Sequence, residues 1–282
     1  MMSRKKIATV LLLLALPVLM FWGCDKIEEP YMKQPGENGN TEEVVRKILL
    51  EEFTGHRCPN CPQGAQMAKL LKSVYGDRLV TVSIHAGFFS NPLSSPFNYD
   101  FRTPEGNALN AHFGVAQNPT GMVNRTEFEG SRLLSPAAWG SAMTVFEDMD
   151  PGFALRLSAS KGSAASYSLA VEVEALQEMQ GDFYLVAVII EDGIIKPQKT
   201  DDLVNHPTGE ILDYEHNHVL RTGITGIWGE KLNENSMDVG QKVAKSYTFT
   251  LNSQWVPENC SVVAYVMNPQ MEILQVEELK LP

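Results

Sequence analysis

Hydrophobic and polar positions divide the chain into regions with different periods. Ile7 to Trp22 is apolar at every position except Thr9, with Arg4, Lys5 and Lys6 in front and Gly23-Cys24 behind. Asp25 to Glu43 shows little apolar periodicity and contains Pro30, Pro35, Gly36, Gly39 and Asn40. Ile48 to Phe53 has strand character. Met67, Ala68, Leu71, Val74 and Tyr75 then recur at helical spacing, and Leu79 to His85 predicts a second strand. From Pro151 the period drops to two. Leu169, Val171 and Val173 alternate with Ala170, Glu172 and Glu174, and Tyr247, Phe249 and Leu251 alternate again. Phe183 to Ile190 is a continuous apolar run suited to a central strand, and Asn268-Pro269-Gln270 separates strands at Ser261–Met267 and Glu272–Leu279.

These patterns predict an α/β domain over 44–150 and an all-β immunoglobulin-like sandwich over 151–282, the latter carrying a long insertion at about 191–240. The first 23 residues have the layout of a secretory signal peptide. An apolar helix of residues 7–22 would rise only about 24 Å, short of the ~30 Å hydrocarbon core. Gly23-Cys24 resembles a bacterial lipobox, which implies cleavage and acylation of Cys24. Residues 24–43 then form a flexible tether with a reach of about 25 Å. The formal charge of −11 becomes −14 once Arg4, Lys5 and Lys6 are removed. So acidic a chain is not expected to bind nucleic acid, which requires a cationic face. Membrane contact is expected through the lipid on Cys24 alone.

Four cysteines are present: Cys24, Cys58, Cys61 and Cys260. Cys58-Pro59-Asn60-Cys61 is half of a zinc site only if a second ligand pair stands at suitable spacing, and none does. In an exported chain the pair reads instead as a dithiol or disulfide. With a strand before it and an amphipathic helix after it, Cys58 is expected at the helix N-cap and Pro59 at the first helical position. A thiol there faces free backbone N–H groups, which stabilise its thiolate. Cys61, one turn further in, would be the resolving thiol. Pro62 cannot donate to the carbonyl of Cys58.

Strand, Cys-Pro-x-Cys, amphipathic helix and second strand in this order resemble the thioredoxin superfamily. Phe113-Gly114-Val115-Ala116-Gln117-Asn118-Pro119-Thr120 looks like that family's cis-proline loop, with Met122-Val123-Asn124 as the next strand. Ser135-Pro136 opens a last helix through Glu147. The resemblance implies that Cys58 and Cys61 form a redox-active disulfide and that Pro119 orients the substrate backbone. Glu52, six residues before Cys58, stands where the superfamily often has a buried carboxylate that moves the resolving thiol's proton. Strand alternation sends Glu51 to the opposite face. Arg57 and His56 precede Cys58, and as cations they would lower its pKa. Phe88, Phe89, Phe97, Tyr99 and Phe101 line a loop that either packs inward or forms a groove.

The 191–240 insertion carries His206, Glu215, His216 and His218 with Asp201, Asp202 and Asp213. His-x-His on a strand puts both imidazoles on one face, so His216 and His218 are weak metal candidates beside the alternative of hydrogen-bonded structural histidines. Cys260 is expected as a small buried hydrophobe. No cofactor is implied. Lipobox Cys24, Leu50 to Cys61 (LEEFTGHRCPNC) and His216 to Arg221 (HNHVLR) are similar to the Omp28-related family of outer-membrane lipoproteins of Bacteroidetes. That similarity implies an outer-membrane location, periplasmic or surface-exposed. Two readings remain at this point. One is a tethered thiol–disulfide oxidoreductase acting on exported or surface polypeptides. The other is a surface binding or adhesion lipoprotein in which Cys58–Cys61 is a fixed staple.

Overall fold

The computed structural model describes residues 44–163 and 165–282; the signal segment, Cys24 and the tether lie outside the described residues. Strands β1 (Ile48–Thr54) and β2 (Leu79–His85) pair in parallel from Ile48–Leu79 to Thr54–His85, joined by helix α1 (Cys61–Tyr75). Helix α2 (Pro104–His112) follows, and Thr103 caps it by accepting the Gly106 N–H at 2.9 Å. Strand β3 (Thr120–Val123) runs antiparallel to β1, and helix α3 (Pro136–Thr144) follows it. Helix α3 stops short of the expected Glu147, its last residues forming turns.

The second half contributes β4 (Phe153–Lys161), β5 (Ser166–Ala175), β6 (Tyr184–Glu191), β7 (Val219–Gly223), β8 (Lys242–Thr250), β9 (Cys260–Met267) and β10 (Ile273–Lys280). Among the described residues, eight strands form one sheet, seven in the order β10-β9-β6-β7-β2-β1-β3 and the eighth, Glu230–Lys231, pairing with β6 off that path. The joint is β7, which lies inside the expected insertion. Val219 pairs in parallel with Ser83 of β2 and antiparallel with Glu191 of β6. The sheet therefore runs unbroken across the change of period at Pro151. A separate three-stranded sheet, β8-β5-β4, completes the second half.

Burial follows from this layering. On β6, Leu185, Ala187 and Ile189 face the core shared with β4 and β5, whereas Val186, Val188 and Ile190 enter the core shared with β1 and β2. Both faces are covered, which is why the run is apolar at every position. β5 buries Tyr167, Leu169, Val171 and Val173 and turns its intervening residues outward, hence its alternation. On β1, Ile48 and Leu50 pack with α1 and α3 around Trp139, while Leu49 and Phe53 face the other way. Gly121 is required where β3 passes Trp139, because a methyl group there would lie 2.9 Å from the indole.

Glu51 shares the face of Leu49 and is fully buried in an ion pair. Arg125 donates through Nε to Glu51 Oε2 at 2.7 Å, and through Nη2 to Glu51 Oε1 at 2.6 Å and the Tyr265 hydroxyl at 2.8 Å. Arg125 is itself inaccessible to solvent, so this pair ties β1 to β9 through the interior.

Candidate active site around the Cys58–Cys61 disulfide

Cys58 and Cys61 are joined in a disulfide with their Cα atoms 5.4 Å apart. The helix begins at Cys61, with Asn60 and not Cys58 at its N-cap. The helix therefore starts two residues later than Pro59 suggests. Pro62 has no N–H to close an α-helical bond onto the Cys58 carbonyl, so residues 58–60 form turns instead. The Cys61 N–H reaches that carbonyl at 3.3 Å, and the Cys58 N–H donates to Gly55 at 2.9 Å. Pro59 and Asn60 are exposed on the crest of the turn, but Cys58 is only 1% and Cys61 2% accessible.

A segment at 196–216 straps the turn down, and its role is not legible in the sequence. Its backbone N–H groups at Lys199 and Asp201 donate to the carbonyls of His56 (2.8 Å) and Pro59 (3.0 Å). Between them the buried Gln198 amide donates to the Cys58 carbonyl at 2.8 Å. Gln63 of α1 then binds the Asp201 carboxylate at 2.7 Å. Backbone groups that free chain would leave to water are satisfied here by one strap.

Glu52 projects from β1 to the α1 side of the sheet, opposite Glu51. It meets α1 at Gly64, where a methyl group would stand 2.7 Å from Glu52 Oε1 and 2.9 Å from Pro119 Cβ. Gly64 thus lets helix, carboxyl and proline close on one another; a glycine inside the helix one turn past Cys61 was the available sign of that approach. The Asn118–Pro119 peptide is cis, as its loop leads one to expect. Glu52 Oε1 is buried with no hydrogen-bond partner. Burial pushes its carboxyl up to about 8, only partly opposed by the Ser83 hydroxyl. Glu52 is therefore predominantly protonated at neutral pH.

A cavity of about 450 Å³ opens beside it, walled by Glu52, Cys61, Lys69, Lys72, Thr81 and Ser83, with residues 214–218 on the far side. Cys61 contributes to this wall and Cys58 does not.

Behind the strap lies a histidine–aromatic cluster. His85 stacks on Phe101 at 4.3 Å and meets His216 edge-on at 5.4 Å, while His56 stacks on Phe97 at 5.9 Å. Burial lowers the pKa of all three histidines, that of His216 to about 3. His56 is thus neutral and supplies no charge to Cys58. Arg57 turns away as well, donating to the Phe88 carbonyl at 3.0 Å and lying over the Phe88 ring. The expected cationic flank of Cys58 is absent for these reasons. Phe97 and Phe101 pack inward, whereas Phe88 stays 72% exposed.

His216 and His218 part company. The short strand ends at His216, whose ring contacts the Lys196 carbonyl at 3.2 Å, and His218 has a φ of 57° that breaks the alternation. Its ring lies 3.3 Å from Asp192. Among the described residues no group of three or more His, Cys, Asp or Glu is placed to hold a metal ion. Cys260 is a buried free thiol, pushed up to about 12 chiefly by burial.

The family described as outer membrane protein Omp28 matches residues 106–282, more than half of the chain. The chain belongs to the Omp28 family. It is accordingly an outer-membrane protein, and among the described residues no helix is long and apolar enough to cross a membrane. Its fold is similar to HBP35 of Porphyromonas gingivalis, at 21% identity over 84% of this chain and 76% of that one, with a TM-score of 0.64. A domain of the outer membrane lipoprotein Omp28 from the same organism matches at 20% identity over 46% of this chain and 88% of that one, with a TM-score of 0.33. A protein from Agrobacterium tumefaciens matches at 13% identity over 84% and 95%, with a TM-score of 0.49. The search of curated proteins returned no match.

Proposed function

We propose that this Omp28-family protein is a lipoprotein anchored through Cys24, in which a thioredoxin-like part carries out thiol–disulfide exchange at Cys58–Cys61 and an immunoglobulin-like sandwich supports it. The observation that carries this reading is Glu52. A buried carboxyl with an unpartnered oxygen destabilises the fold, and a disulfide serving only as a staple has no use for it. A pair that opens and closes does: a departing thiolate of Cys61 needs a proton, and Glu52, which lines the same cavity, holds one at neutral pH. Pro119 packs on the same spot and would orient the chain of a substrate. Exported or surface polypeptides are the partners this reading implies. Their access to Cys58 requires the 196–216 strap to release the turn.

Glu52→Gln separates this from the other reading. The folded carboxyl prefers its proton up to about pH 8 and the unfolded one only to about 4.5, so ionisation of the unfolded chain costs stability as pH rises between those values. The variant is expected to be more stable than wild type at pH 8. It is also expected to exchange with a glutathione redox buffer about 100-fold more slowly, the usual contribution of a positioned proton donor. A stability gain with no change in exchange rate would reject the assignment.

The second reading, a binding lipoprotein with a fixed disulfide, is favoured by one observation: both cysteines are almost wholly buried. Unchanged exchange in Glu52→Gln is the outcome that reading expects.

A further inference from the structure

The two sulfurs of the disulfide have different surroundings, and the difference runs against the usual assignment of the first cysteine as the one that meets thiols. Cys58 is sealed beneath the turn, with the carbonyls of His56, Cys58 and Pro59 all held by the strap. Cys61 lines the cavity of about 450 Å³, although at 2% accessible it is nearly as buried as Cys58 at 1%. That volume suits a molecule of amino-acid to short-peptide size and not a folded chain.

The chemistry of the wall narrows the occupant. Lys69 and Lys72 bring two ammonium groups from α1 to the rim, and Lys72 spends only one donor, on the Leu79 carbonyl at 2.6 Å. Thr81, Ser83 and Asn217 add neutral polar groups. The rim's carboxylate, Glu215, already accepts from the Asn217 amide at 3.0 Å. Glu52 is protonated and does not repel an anion.

We propose that this cavity is the access site for a small carboxylate-bearing thiol, and that such a thiol attacks Cys61. The inference rests on the exchange reading above and supplies the electron donor that reading requires. In the first step the incoming thiolate forms a bond to the Cys61 sulfur while the Cys58–Cys61 bond breaks, leaving its electron pair on Cys58. Cys58 is then protonated at the expense of the proton the incoming thiol released. A second small thiolate attacks the ligand sulfur of the mixed disulfide and displaces the Cys61 thiolate, which takes its proton from Glu52; Glu52 is reprotonated by the proton the second thiol released. Two small thiols are oxidised to one disulfide, and the protein disulfide is reduced to two thiols.

The test uses the full chain with Cys58→Ser and Cys61→Ser made separately. Each is incubated with oxidised glutathione, which bears carboxylates, or with cystamine, which is cationic, and adducts are located by peptide mass mapping. Cys58→Ser is expected to gain a glutathione adduct on Cys61 at least tenfold faster than Cys61→Ser gains one on Cys58. It should also prefer glutathione over cystamine, and adding Lys69→Glu should abolish that preference. As a control independent of those variants, wild-type disulfide should be reduced faster by glutathione than by cysteamine at equal thiolate concentration. Faster adduct formation on Cys58 would overturn the inference and leave the exchange reading standing. Failure of both variants to react, with a wild-type disulfide inert to glutathione, would overturn the two together.

Discussion

Arg125→Met is expected to cost the folded protein about 3–5 kcal/mol, because it leaves the Glu51 carboxylate buried without its counter-charge. Arg125 is inaccessible to solvent and makes two short bonds to Glu51 and one to Tyr265. Methionine keeps most of the volume and removes only the charge and the donors, so packing loss contributes little. The loss should appear as a lower urea midpoint with an unchanged slope. Adding Glu51→Gln should recover a substantial part of it, since a neutral amide costs far less to bury than an ion. If Arg125→Met alone shifts the midpoint no more than an exposed substitution, the pair does not hold β1 to β9 as described.

Acidification is the second large effect expected. His56, His85 and His216 are buried neutral, each with a folded pKa below the ordinary histidine value. A depressed histidine binds its proton more readily in the unfolded chain, so its contribution is present above pH 6.5 and is lost as pH falls below it. His216, lowered to about 3, accounts for roughly 2 kcal/mol of loss by pH 5 and on the order of 5 kcal/mol by pH 3. Glu52 acts in the opposite sense over pH 8 to 4.5 and between pH 7 and pH 5 offsets about 2 kcal/mol, roughly what His216 loses there, so the net fall rests on His85 and His56. Urea midpoints at pH 7 and pH 5 should therefore fall with acid, and His216→Phe should flatten that slope. The same pH 7 to pH 5 slope in His216→Phe as in wild type would contradict the placement of His216.

Local patterning made much of the first half legible. The ends of β2 agree with the apolar run Leu79–His85, and the strand alternation that separates Glu51 from Glu52 is the separation the structure has. Pro119 and Glu52 come together from sixty-seven positions apart because both face Gly64. The features that escaped are those made by distant partners. β7 has only Val219 and Leu220 fully buried, and a bulge follows before Thr222, so its five residues carry no clean period of two. Its role as the joint of the sheet depends on β2 and β6, not on its own composition. Gln198 is likewise an ordinary polar residue until the strap lays it over the Cys58 carbonyl. The helix starts two residues beyond Pro59 for a local reason: Pro59 fits a first helical turn, but Pro62 withholds the N–H that such a turn needs.

The reduction potential of the Cys58–Cys61 pair in the intact protein, equilibrated in glutathione buffers, bears most directly on the exchange activity. A value between roughly −120 and −270 mV is expected, the range of proteins that exchange thiols and disulfides. A value below about −300 mV would mark a disulfide that stays closed and would contradict it.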